Sequence, residues 1–143
     1  MKKLITFVLL LFVFTQCKKK EDPEPLPEIA SIAGKWRVTA YSQTEGDSLI
    51  TNPVSEGNVT IYQFRFDGAF LNENGYMPCC LSQKFTLNGQ PFEPKPLAPL
   101  QLDPSCGLVY CMPCAEMIIT TPIADVIMIE TCKGNFMTLV REK

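Results

Sequence analysis

The sequence predicts an all-β fold: a single antiparallel up-and-down barrel, or a strongly curled sheet, of about eight strands. Three observations carry this expectation. Short runs alternate apolar and polar residues with period two, compact turn signals separate those runs, and only Pro27 to Gly34 offers room for a short helical turn before the first strand.

The elements follow in order. Trp36, Val38 and Ala40 alternate with Arg37, Thr39 and Tyr41, which predicts a first strand with its apolar side chains on one face. Tyr62, Phe64 and Phe66 alternate with Ile61, Gln63 and Arg65. Asp67-Gly68 then gives the two-residue signal of a tight hairpin, with Ala69 to Glu73 as the return strand. Ser82 to Leu87 is a further short strand closed by Asn88-Gly89. The proline-dense stretch from Pro91 to Pro104 predicts a long loop, because proline supplies no N–H to a ladder. Gly107–Cys111, Ala115–Thr120, Ala124–Thr131 and Asn135–Glu142 complete the set, divided by Pro113, Pro122 and Lys133-Gly134-Asn135.

Composition bounds the chemistry. The chain has 143 residues, 13 basic and 15 acidic side chains, seven cysteines and no histidine. Its length suits one domain of ordinary size. A net charge of −2 gives no electrostatic footprint for nucleic acid. The absence of histidine excludes Ser-His-Asp and Cys-His catalysis, imidazole metal sites and histidine pH switches. No carboxylate pair or Gly-rich phosphate loop stands out, so no enzyme and no cofactor are expected.

The N-terminus reads as an address. Met1-Lys2-Lys3 precedes a nearly unbroken apolar run from Leu4 to Phe14, too short to span a bilayer as a helix. The run ends at Thr15-Gln16-Cys17, and a charged, proline-rich stretch follows. This arrangement resembles a bacterial lipoprotein signal. The resemblance implies a signal peptide over 1–16, lipidation of Cys17, a flexible tether over 17–28 and a folded body over 29–143. Gln16 departs from the small residue usual before the cysteine. Lys20-Glu21-Asp22 resembles the export signal of surface lipoproteins in Bacteroidota-type bacteria, which implies an outer-membrane location on the periplasmic face or the cell surface.

Within the body, Gly34-Lys35-Trp36 leads into the first strand and Phe64-Arg65-Phe66-Asp67-Gly68-Ala69-Phe70 forms a hairpin signature. Gly134-Asn135-Phe136-Met137-Thr138-Leu139-Val140-Arg141 closes the chain. Together these are similar to the small lipocalin-like lipoproteins of Bacteroidota-type bacteria. The resemblance implies that Trp36 closes one end of the barrel with Arg141 lying across it. It also implies a wall of Val38, Ala40, Tyr62, Phe64, Phe66 and Phe70 around a small hydrophobic ligand if a calyx is present. A filled barrel would instead favour a scaffold that engages a protein partner of the envelope through its loops.

Six cysteines remain in the body: Cys79, Cys80, Cys106, Cys111, Cys114 and Cys132. An even number in an exported chain reads first as a disulfide framework. A hairpin centred on Pro122-Ile123 would set Cys114 near Cys132, leaving Cys79 and Cys80 to meet Cys106 and Cys111. Two other readings stay open. The echoed strings Tyr76-Met77-Pro78-Cys79-Cys80 and Tyr110-Cys111-Met112-Pro113-Cys114 offer thiolates and thioethers to a soft metal such as Cu(I) or Zn. Cys111-Met112-Pro113-Cys114 also has the spacing of a thiol-disulfide redox site.

Overall fold

The structure is a computed structural model and describes residues 23–55, 57–82 and 84–143. The expected signal over 1–16, the lipidation expected at Cys17 and the expected tether as far as residue 22 lie outside the described residues. Nine strands form one sheet: β1 (Gly34–Glu45), β2 (Ser48–Pro53), β3 (Ile61–Phe64), β4 (Phe70–Asn72), β5 (Phe85–Leu87), β6 (Gln90–Phe92), β7 (Met117–Ile123), β8 (Val126–Cys132) and β9 (Asn135–Arg141). Their order is β4-β3-β1-β9-β8-β7-β5-β6, with β2 beside β1. β1 is the hub. Its first half pairs β3 and its second half pairs β2 along one edge, while β9 runs along the other.

The sheet is a curled, mixed half-barrel, all-β as the alternation predicts. Its two ends approach each other after β6, where the Lys95 N–H donates to the Asp67 carbonyl at 2.8 Å. The helical turn before β1 is a single 3-10 turn, Pro27–Ile29, started by a proline whose missing N–H costs nothing there. No α-helix occurs among the described residues.

Several expectations need correction. The sheet is not wholly antiparallel, because β5 and β7 pair in parallel, Phe85 against Met117 and Leu87 against Ile119. A parallel pair needs a long crossover, and the segment between β6 and β7 provides it. Pro91 lies in a strand after all; β6 is the edge of the sheet, where a missing donor is tolerated. Gly107–Cys111 is not a strand: Pro104–Leu108 is a 3-10 turn, capped by the Asp103 carboxylate accepting from the Ser105 N–H. The hairpin between β7 and β8 turns at Ala124-Asp125, with Asp125 at φ +58°, and Pro122 falls within β7 at a break in its register. The strand expected through Phe66 stops at Phe64, since the turn to β4 spans Arg65–Ala69. The tether is shorter than expected too. The Leu26 N–H donates to the Phe66 carbonyl, and Leu26 packs against the core.

Inside the curl, fourteen apolar side chains form one buried cluster fed by nearly every strand. Ile119, Ile127, Ile129 and Leu139 come from three adjacent strands and are fully buried. Ile29 and Ile32 plug one end from outside the sheet. Burying each such side chain contributes about 1.5–3 kcal/mol.

Candidate functional site

Two ends of the half-barrel carry different chemistry. At the first, Gly34 opens β1 at φ +122°, and a Cβ there would lie 3.1 Å from Nη1 of Arg141. The glycine therefore leaves room for the guanidinium, which lies 4.3 Å from the centre of the Trp36 ring. Arg141 donates to the Ser31 carbonyl at 2.6 Å, the Ala33 carbonyl at 2.8 Å and Asp125 Oδ1 at 2.9 Å. The Trp36 indole N–H donates to the Ile32 carbonyl at 2.7 Å. Every donor of this closed end that faces the protein has a partner, and the arrangement ties β9, the 3-10 turn and the β7–β8 hairpin together.

Of the residues named as a ligand wall, Tyr62 and Phe70 line a cavity, described below. Val38, Phe64 and Phe70 are buried within the filled core. Ala40 follows a register shift in β1. Phe66 belongs to the turn after β3, beside the Arg65 guanidinium. Tyr62 is partly open, as are Ala40 and Phe66, and its ring stacks on Phe70 at 4.8 Å. Burial pushes the Tyr62 phenol upward, with Tyr41 adding to the effect.

The other end is covered by the cysteine-rich segment. Cys79 bonds Cys106, Cys80 bonds Cys111 and Cys114 bonds Cys132, with Cα separations of 5.3, 5.8 and 5.4 Å. All six body cysteines are thus oxidised in pairs, so no thiolate is left for a metal. Cys111 and Cys114 are bonded to different partners and not to each other. Asp103 holds the base of the segment: it accepts from Ser105 N–H and Oγ and from the Asn72 amide at 2.6 Å. Hydrogen bonding from Ser105 holds its carboxyl below the usual carboxylate range. Met77 and Asp103 exchange backbone bonds with the opposite arm, Met77 N–H to Gln101 and Asp103 N–H to Met77.

Between these staples the chain carries an uncharged crest. No charged residue occurs from Pro104 to Ala115. Leu108 is 91% and Met112 83% exposed, and Tyr110 is wholly exposed. Below the crest lies a cavity of about 250 Å³, walled by Tyr62, Phe70, Leu81, Met112, Met117 and Met137 with bridged cysteines around them. The crest was legible as a short apolar run but reads as a strand. The convergence of Met117 and Met137 carries no sequence signal, because methionines at strand positions look like core.

No protein-family model, curated protein or solved structure matches this chain.

Proposed function

We propose that the protein is a lipid-anchored binding protein of the bacterial cell envelope, held at the outer membrane through Cys17, whose filled β scaffold presents the crest Leu108–Met112 to a protein partner. One observation carries the reading: a contiguous, uncharged, apolar crest that is exposed and pinned on both sides by disulfides. Tyrosine and methionine are enriched, and charged residues depleted, at the buried centre of protein interfaces. Pinning lowers the entropy lost when a partner binds. The filled interior supports a loop-based role over a lipocalin-like calyx. Disulfides are compatible with an oxidising compartment.

A photo-crosslinking residue placed at Tyr110 in cells tests the partner. The expected outcome is one discrete adduct that disappears when Leu108 is also replaced by Ser, while the same probe at Glu45 gives no such adduct. Identical patterns from the two positions would refute the reading. The anchor is tested by the intact mass of the exported chain alkylated without reduction, which should show lipid on Cys17 and no alkyl group on the other six cysteines.

A further inference from the structure

The soft-metal chemistry suggested by the sequence relied on cysteine thiolates, and the disulfides remove those. The methionines are untouched. Met112 lies on the crest between two bridged cysteines, Met117 opens β7 and Met137 lies in β9, yet all three line the same 250 Å³ cavity. Strands β7 and β9 flank β8, and Met137 lies across Ile129 from Ile119, two residues along β7 from Met117; the two methionine backbones are thus about 12 Å apart, on the diagonal. The cavity between them takes side chains from both sides and Met112 from above.

We propose that this cavity is a binding site for a soft univalent cation, Cu(I) in the envelope, held by the thioethers of Met112, Met117 and Met137. Four features support the assignment. Thioethers are soft ligands that select Cu(I), and they need no deprotonation. The wall contains no carboxylate, so hard divalent cations that require anionic oxygen are disfavoured. The Tyr62 and Phe70 rings line the same space and add polarisable aromatic surface to its wall. Finally, Met117 and Met137 are 1% and 8% exposed, whereas Met112 is 83% exposed, so two ligands are set by the core and the third comes from the solvent side. Binding involves no change of oxidation state; the metal exchanges water or a carrier's ligands for three sulfur atoms. Met112 is shared with the crest, so a partner seated there would cover the mouth of the site, whereas Met117 and Met137 lie below it.

Ag(I), the redox-inert analogue, tests this on the disulfide-intact mature chain without any reductant. With methionine methyl groups labelled, one equivalent of Ag(I) should shift the signals of Met112, Met117 and Met137 and leave Met128, which lies on the opposite face of β8, in place. Replacing all three by Leu keeps volume and fold and should weaken Ag(I) binding by about 100-fold or more, given three soft ligands removed. The Met128→Leu variant should bind as the parent does. Methyl signals that stay fixed, that shift together with Met128 only in excess metal, or a triple variant that binds as tightly as the parent would each overturn the proposal.

Discussion

Arg141 shows how much one side chain can organise. Its guanidinium satisfies two carbonyls of the segment before β1, one carboxylate of the β7–β8 hairpin and one aromatic face. Lysine is a point charge without the planar fork, so it can replace only part of this set. Arg141→Lys should therefore cost about 1–2 kcal/mol, and Arg141→Ala about 2–4 kcal/mol, by chemical denaturation, since the abandoned carbonyls lie in a partly buried place. A midpoint equal to that of the parent chain would contradict the role. Asp67 gives a pH dependence of the same local kind. Burial pushes its carboxyl up, but the Arg65 guanidinium at 2.6–3.0 Å and the Ala69 N–H at 3.2 Å outweigh this and hold it below the usual range. A carboxyl whose pKa is depressed on folding adds stability above the unfolded value of about 4 and loses it as pH falls through the folded value. Stability should thus decline below about pH 4, and Asp67→Asn should flatten part of that slope. Asp103 is shifted in the same direction, so some acid sensitivity remains in the variant. An unchanged slope in Asp67→Asn would rule the contribution out.

At the scale of elements, the legible features are those written in alternation and turn chemistry. β1, β3 and β9 stand out because each turns one apolar face to the core. The end of β5 stands out because Asn88 and Gly89 take φ of +49° and +80°, the pair a two-residue turn demands, although the return strand β6 is hidden by Pro91 and reads as loop. β2 does not stand out, since all six of its residues are exposed and it has no buried face to mark. The crest reads as a strand because β-branched and aromatic residues lie there for reasons other than a ladder. The Cys114–Cys132 pair follows from the hairpin, although its centre lies at Ala124-Asp125 and not at Pro122-Ile123; which of Cys79 and Cys80 meets Cys106 and which meets Cys111 is open in the sequence. The three bridges should contribute unequally. Cys114–Cys132 closes a separation of 18 residues by itself, so replacing both by Ser should cost about 3 kcal/mol. Cys80–Cys111 crosses Cys79–Cys106, which already joins neighbouring positions, so its own added loop is short. Its removal should cost nearer 2 kcal/mol. Equal denaturation midpoints for the two double variants would show that native strain or contact, and not loop closure, sets their contributions.

For the whole molecule, the question is where the folded unit begins. The composition of the tether is charged and proline-rich, and from sequence it runs to residue 28. Yet Leu26 is hydrogen-bonded to the β3–β4 turn, and Ile29 and Ile32 are fully buried beneath Trp36 and Arg141. These residues do for the half-barrel what a further strand would do: they close an end that the sheet leaves open. Sequence reading misses this because three apolar residues among prolines and acids show no period. A chain starting at Pro25 should therefore match one starting at Cys17 in urea midpoint. A chain starting at Gly34 loses two buried isoleucines, worth about 3–6 kcal/mol together, and with them the acceptors of the Trp36 indole and of two Arg141 donors. Against a total stability of about 5–15 kcal/mol for an ordinary domain, that loss should leave it marginal or unfolded. The disulfides constrain only the opposite end, so they cannot offset it. If the Gly34 chain instead unfolds cooperatively at the parent midpoint, the sheet and its staples suffice alone, and the segment before β1 is ornament on a self-sufficient barrel.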